Sequence, residues 1–176
     1  VHRTGEDLEG WRAGLRAVGR GRILWPPELR PEPEPAYDRP NPLQRAKWIW
    51  RQEGRPGVTA PPGTRYFRRA FELEAGRRIE SARLAITADN TFECWLNGQS
   101  VSRGQRFQTA YRADVAAQLK PGTNLITVTA VNTTDSPNPA GLVAALAIKY
   151  TTGQTEELCT DASWQVSLSA TEDWNP

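Results

Sequence analysis

Methionine is absent from the chain, and histidine occurs once, as His2 near the N-terminus. That leaves no histidine-based acid–base catalysis and no multi-histidine metal site. Cysteine is scarce: Cys94 and Cys159 are too few for a disulfide scaffold. Cys94 alternates in phase with Phe92 and Leu96, so it reads as a small core residue, and both thiols are expected to be free. No apolar run approaches the roughly 18 residues of a membrane span. The net charge is only +2 and the arginines are scattered. Charge therefore gives no case for nucleic acid or a membrane as partner. Neither a Gly-x-Ser-x-Gly elbow nor a glycine-rich phosphate loop occurs. The missing initiator methionine leads to the expectation of a fragment from a longer polypeptide.

What the chain does have is tryptophan, seven in all, and 14 prolines. Leu8, Trp11, Leu15 and Val18 fall on one face of a helix, and Arg22-Ile23-Leu24-Trp25 reads as a short strand. Residues 1–25 are thus expected to be the tail of a preceding α/β domain. Residues 26–44 hold seven of the 14 prolines and read as a semi-extended linker. From 45 to 170 the texture is all-β, followed by a short tail at 171–176. Strands are expected near 47–51, 65–73, 80–88, 91–96, 99–103, 124–132, 141–150 and 155–167. Asn97-Gly98 is a strong hairpin signal, and 111–124 reads as a helical turn closed by Pro121-Gly122. Short strands at this spacing predict an antiparallel β-sandwich or jelly roll.

Several phrases then fall in one order: "KWIW" at 47–50, "RYFRRAFEL" at 65–73 and "SARLAITADNTFECWLNGQSV" at 81–101. They are followed by "DVAAQLKPGTNLITVTAVNT" at 114–133 and "TDASW" at 160–164. The series resembles the galactose-binding-like β-sandwich modules of large bacterial glycoside hydrolases, especially α-L-rhamnosidases and β-galactosidase-type enzymes. The resemblance implies a jelly roll that binds carbohydrate at one end or on a concave face, or only packs on a catalytic domain. It also implies a secreted or periplasmic parent. In rhamnose-binding relatives an Asp-Asn pair at the position of Asp89 and Asn90 holds a calcium that touches sugar hydroxyls. A later loop adds an asparagine, for which Asn132 and Asn138 are candidates.

The residues allow two readings of Asp89-Asn90. Strands disfavour both side chains, and an Asx-type turn explains them without a ligand. Calcium, however, takes six to eight oxygens. Asp89, Asn90 and Asp135, with Asn132 and Asn138, would supply some of these if their loops meet. The resembled fold leads us to expect strands 80–88 and 91–96 to be antiparallel neighbours, and 124–132 and 141–150 to form a hairpin opening at the same end. Trp95 is out of phase with the core set and is a candidate stacking platform beside them, or a cover for the outer sheet face. Trp48 and Trp50 are expected on one face of a strand, packed in the core or between domains, and Trp164 reads as a core plug.

Glycoside hydrolysis needs two carboxylates roughly 5–10 Å apart, and no such pair stands out. The favoured reading is a non-catalytic carbohydrate-binding or accessory module of a larger glycoside hydrolase, beside its catalytic domain. The alternatives are a free-standing lectin-like domain and a structural module without ligand.

Overall fold

A computed structural model describes residues 41–170. The expected helix–strand tail, the linker up to residue 40 and the tail at 171–176 lie outside the described residues. Period-2 alternation builds what is seen. Ala82, Leu84, Ile86 and Ala88 point one way from strand β2 (Ile79–Asp89), and all are buried. Leu142, Ala144, Leu146 and Ile148 do the same from β7 (Gly141–Tyr150). Facing them are Phe67 of β1 (Gly63–Leu73), Phe92, Cys94 and Leu96 of β3 (Thr91–Leu96), and Ile126, Val128 and Ala130 of β6 (Gly122–Asn132). Burying each larger side chain contributes about 1.5–3 kcal/mol.

The remaining strands are β4 (Gln99–Gly104), β5 (Tyr111–Asp114), β8 (Thr155–Cys159) and β9 (Gln165–Ser167). One sheet runs β4-β3-β6-β1-β9 and the other β5-β2-β7-β8, with every pairing antiparallel. The result is a β-sandwich, as the sequence predicts. Among the described residues, helix is confined to one turn, α1 (Pro56–Thr59), and a 3-10 turn at Ala116–Gln118.

Several expectations need correction. Residues 47–51 are not a strand; Ile49 makes a single bridge to Leu142. The two tryptophans have different surroundings. Trp50 is in the core, 5.4 Å from the Phe67 ring, while Trp48 is exposed. Residues 111–124 hold strand β5 before the 3-10 turn, because Tyr111 and Ala113 alternate inward against β2. The expected strand at 155–167 is broken between β8 and β9 by a turn in which Asp161 accepts from the Ser163 amide. The turn brings Trp164 into the core, where its Nε1 donates to the Cys159 carbonyl at 3.1 Å.

Neither expected neighbour pair forms. β2 and β3 belong to opposite sheets, as do β6 and β7. Asn90 and the loop 133–140 are therefore crossovers between sheets rather than hairpin turns. The outer face of the four-stranded sheet is also covered, since Ala85, Thr87, Val143 and Ala145 are all buried. Thr87 Oγ1 lies 3.1 and 3.2 Å from the Arg106 and Phe107 carbonyls, which holds the loop 105–110 against that face.

Candidate functional site

The two crossovers meet. The Asn90 amide donates to the Val131 carbonyl at 3.0 Å, and the Thr133 amide donates to Asn90 Oδ1 at 2.9 Å. Asp89 lies opposite Gly141 at the ends of β2 and β7. Its carboxylate accepts from Asn90 Nδ2 at 2.8 Å, across a peptide bond that is cis. Among the described residues no cation pairs with Asp89. Partial burial pushes its carboxyl above the ordinary carboxylate value.

The later loop contributes unevenly. Asn132 is buried, and its Nδ2 donates to the Ala60 carbonyl at 3.1 Å, pinning the segment before β1. Its Oδ1 is buried with no hydrogen-bond partner. Asn138 exchanges backbone hydrogen bonds with Ala60 at 2.9 and 3.1 Å, and its Nδ2 donates to the Ser136 carbonyl. Asp135 is exposed, and no hydrogen bond joins it to Asp89 or Asn90. Trp95 is half-buried on the outer side of β3, as its phase predicts. The register pairs it with Thr127, whereas Thr91 pairs with Val131. At about 3.3 Å per residue, Trp95 stands some 13 Å along the strand from Thr91. It cannot wall the rim.

Sequence reasoning missed the Trp48 ring, which the structure brings to the rim, and Phe107, whose backbone is held on the same sheet. Trp48 lies over Gly141, where an added Cβ would sit 2.6 Å from its Cε3. Gly141 is the cross-strand partner of Asp89. Thr87, two positions before Asp89 on the same sheet face, holds the Phe107 carbonyl at 3.2 Å. Both rings remain exposed, Trp48 at 54% and Phe107 at 44%. The available signal was Gly141 itself, a glycine opening an otherwise bulky strand, which marks a close approach.

The donors fit a hard cation in kind. Asp89 has one carboxylate oxygen with no hydrogen bond, Asn90 Oδ1 faces the same crossover, and the Asn132 Oδ1 is orphaned. No group of three or more His, Cys, Asp or Glu side chains that could hold a metal occurs among the described residues. A cation here would rest on one carboxylate with amide and backbone oxygens, a low charge count for calcium. Three other described carboxylates are engaged elsewhere. Glu53 meets Arg65 at 2.5 Å, Glu80 meets Lys149 at 2.6 Å, and Glu156 pairs with Arg77.

Two antiparallel sheets, with polar crossovers gathered at one end, define a galactose-binding-like β-sandwich module. The chain belongs to the α-L-rhamnosidase N-terminal domain family, which it matches over residues 77–175. It is 32% identical over 161 residues to an α-L-rhamnosidase of Streptomyces avermitilis, covering 88% of this chain and 15% of that protein. The chain thus spans a small part of the length of that relative. A crystal structure of the Streptomyces avermitilis α-L-rhamnosidase complexed with L-rhamnose aligns at a TM-score of 0.69 and 31% identity, over 76% of this chain and 13% of that one. The Pleurotus ostreatus lectin in complex with GalNAc aligns at 0.66 and 28% identity, over 74% of this chain and 38% of the lectin.

Proposed function

We propose that the domain is a non-catalytic carbohydrate-binding module of a larger α-L-rhamnosidase-like glycoside hydrolase, beside that enzyme's catalytic domain. The observation that carries this reading is the rim. A carboxylate with no ion-pair partner among the described residues, Asp89, stands one cross-strand step from Gly141, on which the exposed Trp48 ring lies. Sugars present apolar C–H faces to rings and vicinal hydroxyls to oxygen-rich polar groups, so this pairing suits them. Asp89 and Asn90 would hold calcium, with Asn132 or Asn138 adding an amide oxygen. Bound there, calcium would supply a hard Lewis acid for sugar hydroxyls, held by these oxygens beside the Trp48 ring. Similarity to a rhamnosidase complexed with L-rhamnose and to a lectin complexed with GalNAc supports the reading.

Calorimetric titration of the chain with L-rhamnose and with GalNAc, in calcium and in EDTA, is the test. Calcium-dependent binding that Asp89→Asn abolishes is the expected result. No binding of either sugar in calcium would refute it.

A further inference from the structure

A groove of about 560 Å³ opens next to the crossover, between the edge strand β4 and the loop that leads to β5. Its walls include Arg103, Arg106, Glu93 and Tyr111. The size is that of a small-ligand site.

Its charge is unbalanced. Arg103 stands directly opposite Glu93 in the β3–β4 register, yet the two make no ion pair. The Glu93 carboxylate is engaged instead by Ser100 Oγ at 3.4 Å. Arg106 is fixed at its backbone, its carbonyl accepting from Thr87 at 3.1 Å and from the Thr109 amide at 3.1 Å. Neither guanidinium meets a carboxylate among the described residues, and both side chains are exposed.

The floor is aromatic and fixed. Gly104 leaves the space that the Tyr111 ring fills, since a Cβ there would lie 2.3 Å from Tyr111 Cε2. Tyr111 packs edge-on against Phe92 with centroids 5.4 Å apart, and its hydroxyl accepts from the Gln105 amide at 3.1 Å. The Thr91 and Thr129 side chains add hydroxyl groups. Thr91 directly follows Asn90, so the groove begins where the rim ends.

We propose that this groove is a second subsite, for an acidic sugar unit whose carboxylate is clamped by Arg103 and Arg106. Planar guanidinium forks match a carboxylate bidentately. The Tyr111 ring and the threonine hydroxyls suit a sugar's apolar and polar sides. The inference rests on reading the domain as a carbohydrate binder. It extends that reading to a glycan in which an acidic unit neighbours the one held at the rim.

The test is calorimetry of the full chain with a trigalacturonate, its neutral trigalactose counterpart and a sulfated galactose oligosaccharide. R103Q, R106Q and the double variant are compared with the parent chain. The trigalacturonate is expected to bind at least tenfold more tightly than the neutral trimer, with an advantage that shrinks in high salt. The double variant should lose that advantage while keeping the melting temperature. Equal binding of acidic and neutral trimers, or an unchanged double variant, would overturn the subsite. Tighter binding of the sulfated sugar would overturn the carboxylate assignment. Calcium-dependent binding of L-rhamnose or GalNAc, measured in the same chain, reports separately on the rim.

Discussion

The side chains of Asn97 and Asn124 hydrogen-bond at 2.8 Å, Nδ2 of Asn97 donating to Oδ1 of Asn124. Asn97 sits in the left-handed region (φ 49°) at the β3–β4 turn, and Gly98 follows at 81°. Asn124 is fully buried and uses its whole amide: Oδ1 also accepts from the Lys120 amide, and Nδ2 donates to the Lys120 and Gly122 carbonyls. Asn97 Oδ1 accepts from the Leu125 amide at 2.9 Å. Two turns distant in sequence are thereby locked together.

Asn124→Ala strands those partners. Each buried group left unpaired costs about 1–3 kcal/mol, so the expected loss is about 2–4 kcal/mol. Urea unfolding should show a lower midpoint at unchanged slope.

Thiol reactivity should separate the two cysteines. Cys94 is buried, and that burial pushes its thiol to about 12. Cys159 is only partly buried. A disulfide reagent at pH 8 should find at most one thiol in the native chain and two in denaturant. Fewer than two in denaturant would mean a bridge.

At the far end of the sandwich, Glu156 accepts from the Tyr150 hydroxyl at 2.9 Å and pairs with Arg77, whose guanidinium lies 3.6 Å from the Tyr150 ring centroid. Burial raises the Glu156 carboxyl, but the bonds from Tyr150 and Arg77 outweigh it and leave the value lowered. The folded value lies below the unfolded one, so this stabilisation is present above pH 4.5 and lost as pH falls through the folded value. With the side chain 45% exposed, the effect should stay under about 1 kcal/mol. The Tm of Glu156→Gln should change less between pH 5 and 3, on the order of a degree or two.

Asp89 runs the other way. Burial raises its folded value above 3.8, so without calcium the folded state gains stability as pH falls through that value. Calcium needs the ionised form. The calcium-induced rise in Tm should therefore shrink over the same range, and at fixed pH it should set in near a Kd of about 0.1–1 mM and keep growing with calcium concentration above it. A calcium increment independent of pH would remove Asp89 from the site.

Local alternation made most strands legible. β3 and β7 fall where Phe92, Cys94 and Leu96, or the apolar run from Leu142, place them. What could not be read was partnership, because period 2 says which side a residue faces and not which strand lies beside it. β2 and β3 are therefore separated by a crossover that looks in sequence like a turn. Asn90 meets the start of the later loop at Thr133, but through crossovers between sheets, where the resembled fold led us to expect two hairpins. The Trp95 placement failed because nearness in sequence is not nearness in a strand extended along its own axis. Trp48 was misplaced because one bridge at Ile49 was read as a strand.

The register of β1 also bears on how the chain is made. Its central Phe67 meets Val128 on one side and Val166 on the other. Synthesis from the N-terminus presents β1 long before either neighbour exists, and such distant pairings close slowly. A ribosome stalled short of Val166 leaves β1 with one bare edge. One stalled short of Gly122 leaves it with two.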